Sequence, residues 1–120
     1  MTKQHFHNLN DLNQGILRQL APGMETRIFP GENVMISIVR IDAGKAGEIH
    51  HHPQEQWGVL LEGSGTRIQD GQSHPVAKGD FWQTPGNVPH GFEAGPEGAV
   101  ILDIFSPPRD EYRQGGAGFK

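Results

Sequence analysis

Apolar residues fall along this chain in short runs broken by turn residues, a pattern that fits strands better than long helices. Met24 to Phe29 reads as one strand, Pro30-Gly31-Glu32-Asn33 as a turn, and Val34 to Ile41, rich in β-branched residues, as the next strand. Asp42-Ala43-Gly44 ends that run. Further strands are expected at Gln56 to Glu62, Gly65 to Gln69, Gln72 to Val76, Phe81 to Gln83, His90 to Glu93 and Ala99 to Phe105. Between the second and third of these, Asp70-Gly71 is the strongest hairpin signal in the chain. The polar start reads as a loose arm over residues 1–14, with a short helix or edge strand from Leu9 to Leu20 that Gly15 weakens as a helix. Gly115-Gly116-Ala117-Gly118 predicts a flexible tail over 113–120, which leaves residues 15–112 as a single domain.

Many short strands with regular turns suggest an all-β sandwich or barrel. A chain of 120 residues fits one domain and buries roughly two thirds of its unfolded surface. With 17 Gly and 9 Pro it suits turns, and with no Cys it has no disulfide framework. No apolar run approaches the length of about 18 residues that a membrane span needs. Met1-Thr2-Lys3-Gln4-His5 is followed by no apolar signal region, so a cytoplasmic location is the default expectation. The net charge of -4, without any basic cluster, argues against nucleic acid as a partner, because a phosphate backbone needs several Lys or Arg contacts. An acidic chain can still hold an anionic small molecule where a metal ion and one Arg supply the positive charge.

That chemistry has an obvious seat in His50-His51-His52-Pro53-Gln54-Glu55-Gln56. Alternate residues of an extended segment face the same way, so His50 and His52 converge while His51 points away. A bend at Pro53 brings Gln56 back to the same centre, and a second strand has to deliver His90 from Asn87-Val88-Pro89-His90. Three imidazoles and an amide oxygen would then surround a divalent ion; imidazole suits zinc, copper, iron and nickel. The plainer alternative is a set of surface histidines in a Gly/Pro-rich loop. His5 and His7 form another such pair, but in the polar N-terminal arm, and are set aside.

The two segments together resemble the motifs of the cupin superfamily, in its small single-domain form, over residues 44 to 94. The first motif reads Gly44, five residues, His50, one residue, His52, three residues, Gln56, six residues, Gly63; the second runs from Gly79-Asp80-Phe81 through Pro85-Gly86-Asn87-Val88-Pro89-His90 to Ala94. Asn87 stands where the pattern often has Gly, and Ala94 where it often has Asn. The resemblance implies a double-sheet jelly-roll barrel, the architecture assigned to cupins. It also implies one divalent transition metal (nickel, zinc, iron or manganese) on His50, His52, Gln56 and His90, and a homodimer formed through edge strands. Gln56 stands where most metal-binding cupins have Glu. A neutral amide leaves the ion its full charge, which favours Lewis-acid chemistry over oxygen activation and weakens metal binding.

The tail Leu102-Asp103-Ile104-Phe105-Ser106-Pro107-Pro108-Arg109 looks like that of the single-domain cupins that ketonise unsaturated monouronates from pectin or alginate. In that group the residues matching Asp103, Phe105 and Arg109 line the substrate side of the metal. Asp103 breaks an otherwise apolar strand, and a carboxylate there is costly to bury unpartnered. It is either a structural acid paired with an Arg such as Arg40 or Arg67, or a proton-handling group whose pKa burial raises and the metal lowers. Trp57 and Trp82 read as core or as a stacking wall for a sugar ring. The expected activity is therefore ring opening and tautomerisation of a small carboxylated substrate, with Arg109 orienting the carboxylate, Asp103 moving the proton and Phe105 in contact. A metal-dependent dioxygenase at the same four residues and a non-catalytic ligand-binding barrel are the rival expectations.

Overall fold

The computed structural model describes residues 5–119; the first four residues of the arm and the last of the tail lie outside them. Strands run β1 Ile16–Ala21, β2 Met24–Pro30, β3 Met35–Ile41, β4 Glu55–Gln69, β5 Gln72–Ala77, β6 Phe81–Thr84, β7 His90–Ser106 and β8 Gly116–Ala117, with a short 3-10 helix at Asp110–Arg113. They pair in the order β5-β4-β7-β3-β2-β1-β8, and β6 pairs with β4. This is the jelly-roll barrel of the cupin pattern.

Two long strands organise it. β4 and β7 lie antiparallel along their whole length, from Glu55 opposite Ser106 to Gln69 opposite His90, and the register slips between Leu60 and Glu62 and again between Gly63 and Gly65. The expected breaks near Gly63 and between Glu93 and Ala99 are thus irregularities within continuous strands. Extra residues bend and twist a strand pair without ending it, which lets the same two strands serve both layers. Asp70 and Gly71 both take positive φ and close the β4–β5 hairpin with Gln69 opposite Gln72, as the Asp-Gly signal requires.

The interior is apolar where alternation predicts it. Met24 and Ile28 of β2, Met35, Val39 and Ile41 of β3, Leu60 of β4, and Phe92, Ile101 and Phe105 of β7 form one buried cluster. On the other edge of β7, the segment after β3 pairs through isolated bridges, Ala46 with Glu93 and His50 with His90. At the N-terminal side the alternatives over Leu9 to Leu20 resolve as strand β1, opened by Gly15 at positive φ. Among the described residues no helix is long and apolar enough to cross a membrane.

The C-terminal residues depart from expectation. Instead of a free glycine-rich tail, β8 lies parallel to β1, and the Gly118 N–H donates to the Gln19 carbonyl at 2.8 Å. The buried Arg18 guanidinium reaches the carbonyls of Gly118 at 2.7 Å and Ala117 at 3.0 Å. Composition alone counted the glycines and missed the partners, a buried guanidinium and the buried ring of Phe119.

Candidate metal centre

His50 and His90 meet because their backbones form the last bridge along β7: each N–H donates to the other's carbonyl, at 3.0 and 2.9 Å. His52 is tied to the same corner by the turn Pro85-Gly86-Asn87-Val88. The Asn87 N–H donates to the His52 carbonyl at 2.7 Å, and Gly86 sits so close to the Pro53 carbonyl that a Cβ there would collide with it. Asn87 has φ 67°, a conformation in which Asn is the usual substitute for Gly. The departure from the motif at this position therefore keeps the turn. Ring nitrogens of His50, His52 and His90 all lie within 4.8 Å of one another, and His51 is exposed outside the group.

Second partners orient the rings. Nδ1 of His50 faces the Glu48 carbonyl at 3.0 Å, that of His52 the Gln54 carbonyl at 3.1 Å, and that of His90 the Val88 carbonyl at 2.8 Å. With each Nδ1–H donating to a carbonyl, each Nε2 is left as a lone pair, the arrangement that fixes imidazole as a metal ligand. Nε2 of His90 is buried and has no hydrogen-bond partner. Oε1 of Gln56 lies 3.0 Å from Nε2 of His52. Since Gln56 also hydrogen-bonds the Asp103 carboxylate, its NH2 is committed there and its oxygen faces the imidazole. Two acceptors side by side, next to a sealed lone pair, form a donor set for a cation. Burial holds all three histidines below their ordinary range. The Arg109 charge helps bring His52 to about 4, and the Arg67 charge helps bring His90 to about 3. They are neutral, hence competent ligands, at neutral pH.

The tail residues expected to line this cavity do so. Gly58 of β4 has Trp82 opposite it on β6 and Asp103 opposite it on β7. A Cβ on Gly58 would stand 2.6 Å from Nε1 of Trp82 and 2.8 Å from Oδ1 of Asp103, so the glycine leaves room for both. Oδ1 of Asp103 is buried without a partner, and burial raises the carboxyl to about 6 against the lowering pull of Arg67, Gln56 and Arg109. Neither arginine weighed as its structural partner forms an ion pair with it. Arg40 donates to the Leu9 carbonyl at 2.6 Å, and the ion pairs among the described residues are Lys78–Glu62 and Arg113–Asp110. Phe105 sets its ring edge-on to His52 at 5.5 Å.

Arg109 is 2% exposed and lies over the Tyr112 ring at 4.0 Å, but its Nη2 donates to the carbonyl of Phe119. The Phe119 ring stacks on His50 at 4.2 Å. The chain's own end therefore covers the residue expected to hold a substrate carboxylate. Gly47 makes this possible, since a Cβ there would stand 2.5 Å from the Phe119 ring. Trp57 is neither core nor wall of this cavity: it lies 43% exposed, on the outer face of β4, and its indole donates to Glu55 at 3.2 Å. Trp82 packs against Phe92 at 6.1 Å, in keeping with the core reading.

As lining residues Glu48, Tyr112 and Phe119 escaped the sequence reading, and Arg67 entered it only as a possible structural partner of Asp103. The place of Arg67 in the cavity wall was hidden for a structural reason. Counting alternate positions from Gln56 puts residue 67 outside; the strand is irregular between Leu60 and Gly65, so that count does not carry through, and Arg67 is buried and lines the cavity.

The chain is 27% identical over 96 residues to the pectin degradation protein KdgF of Dickeya dadantii, covering 78% of this chain and 87% of that protein. It is 32% identical over 80 residues to the oxalate decarboxylase OxdC of Bacillus subtilis, but spans only 20% of that protein's length. The solved structure of KdgF from Halomonas sp. superposes with a TM-score of 0.73 at 26% identity, over 89% of this chain and 92% of that one. The model of the Cupin domain matches residues 37–105, a stretch that starts on β3 and ends at Phe105, and the chain belongs to the cupin family.

Proposed function

We propose that this protein is a metal-dependent cupin enzyme that opens and tautomerises a small unsaturated uronate from pectin or alginate breakdown, without redox chemistry. The observation that carries the reading is the neutral donor set, three imidazoles and an amide, joined through Gln56 to a buried carboxyl held near 6. A divalent transition metal bound by His50, His52 and His90, with Gln56 as fourth donor, would supply Lewis acidity toward a substrate oxygen. Gln56 also couples that centre to Asp103, since its two amide atoms address one each. As the ring C–O bond breaks, the anomeric hydroxyl becomes a carbonyl and its proton passes to the ring oxygen, now the enol oxygen; Asp103, poised close to neutrality, takes that proton and returns it to carbon, so both steps balance within the substrate. Arg109, once it exchanges the Phe119 carbonyl for a ligand oxygen, orients the carboxylate, and Phe105 bounds the cavity beside His52. Similarity to a pectin degradation protein over most of both chains supports the substrate class.

Metal-loaded protein given a 4,5-unsaturated monouronate should accelerate loss of its conjugated ultraviolet absorbance. A rate equal to the spontaneous background removes the substrate assignment. Asp103→Asn should lower turnover by roughly 10²- to 10³-fold while metal and substrate binding persist. Unchanged turnover would return Asp103 to a structural role.

A further inference from the structure

The cavity beside the histidines is lined by two guanidinium groups, from different parts of the fold. Arg109 follows β7; Arg67 comes from β4 and is 5% exposed. Arg67 has neutral hydrogen-bond partners: Nη2 donates to Oγ1 of Thr84 at 2.7 Å and Nε to Oε1 of Gln69 at 3.3 Å, while the guanidinium lies 5.4 Å from the Trp82 ring. Thr84 is the cross-strand neighbour of Gln56, so this bond holds the head of Arg67 at the level of the fourth donor. Burial lowers Arg67 only to about 10, which leaves it charged at neutral pH.

A buried charge without an opposite charge in contact is expensive, and proteins retain one where a ligand or partner completes it. The lining offers two acids, Glu48 and Asp103; neither is in ion-pair contact with Arg67, and Asp103, whose charge does act on it, is itself raised to about 6 by burial. The two arginines reach the cavity from different strands' ends and act on the triad differently, though both also act on Asp103. Arg109 is the cation acting on His52, Arg67 the one acting on His90, and both reach His50. At Arg109 the acceptor already in place is the neutral carbonyl of Phe119, which a ligand oxyanion can replace.

We infer that Arg67 is a second anion-recognition residue of this cavity, and that its ligands are small acids carrying a second oxyanion at the end remote from Arg109. The inference rests on the cavity being the ligand site and not on the uronate reading, because the enol oxygen of a ring-opened uronate lies on the carbon next to its carboxylate.

Calorimetric titration of nickel-loaded protein with succinate, glutarate and adipate, each against the monoacid of equal length (butyrate, valerate, hexanoate), tests this directly. For at least one length the diacid should bind about tenfold more tightly, as expected for one added charge-assisted contact. Arg67→Met should abolish that preference while leaving the monoacid affinity within about twofold, and Arg67→Lys should keep most of it. Circular dichroism and metal stoichiometry show whether Arg67→Met is folded; if it is not, Arg67→Gln carries the same comparison. A wild-type protein with no diacid preference at any length, or a folded neutral variant that retains it, overturns the inference. Diacid preference lost with Arg67 in a protein inert toward the uronate discards the reaction and keeps this role. Uronate turnover without diacid preference does the reverse.

Discussion

Gln56 has two duties that no single substitution can preserve. Its oxygen faces His52 and its NH2 hydrogen-bonds Asp103. Gln56→Glu would put a negative charge beside the ion and should tighten metal binding by well over tenfold, since one Coulombic contact at intermediate dielectric is worth about 4 kcal/mol. The same change removes the donor to Asp103 and sets two carboxylates together, so Asp103 should titrate above its present value of about 6. Chelator competition would read the first effect and a carboxyl NMR titration the second. Tighter metal with an unmoved Asp103 would show that the two groups are not coupled. At this scale the sequence was informative wherever local geometry decides the outcome. The spacing of His50 and His52 needs only an extended backbone, and Asn87 needs only a left-handed turn. Tyr112 and Arg67 depend on helix placement and strand parity, which no local pattern encodes.

Among the elements, the strands were legible and their continuity was not. Turn residues mark Gly63 and Gly95 to Gly98 as breaks, yet β4 and β7 carry through both places as one bent pair. Hydrogen bonding to a distant partner, absent from any local window, keeps them whole. The C-terminal segment failed for the same reason, because its partners Arg18 and His50 lie far away in sequence. Phe119→Ala should therefore act locally. It removes the ring over His50 and weakens the hold on Arg109, and a segment that can detach alone should cost less than the roughly 3–5 kcal/mol of a central Phe→Ala change. Metal loss to excess chelator should become faster while the denaturant midpoint moves little. Unchanged metal release would show that the ring does not guard the centre.

The whole molecule integrates these charges in its response to pH. In the metal-free chain His50, His52 and His90 sit below the ordinary 6.5, so on acidification the unfolded chain takes up protons before the folded one, and stability falls from that value down to about 3–4. Asp103, raised from 3.8 to about 6, acts oppositely and gains stability over the lower part of the range. With three groups against one, the melting temperature in chelator should drop between pH 7 and pH 5; a rise would mean that the carboxyl governs. The outer surface makes a different demand. Trp57 and Val59 of β4, Phe81 of β6, and Leu102 and Ile104 of β7 are neighbours in register on the face turned away from the cavity, and Phe81 is 69% exposed. A contiguous apolar face of this kind marks an association surface more often than a solvated one. The dimer expected of a small cupin would then form across this face and not along the exposed edge β5. Sedimentation of the metal-loaded protein should give twice 13.2 kDa, and Phe81→Glu with Ile104→Glu should give the monomer without loss of the circular dichroism of the fold. A wild-type monomer at tens of micromolar, or a dimer indifferent to both charges, would exclude this face as the interface.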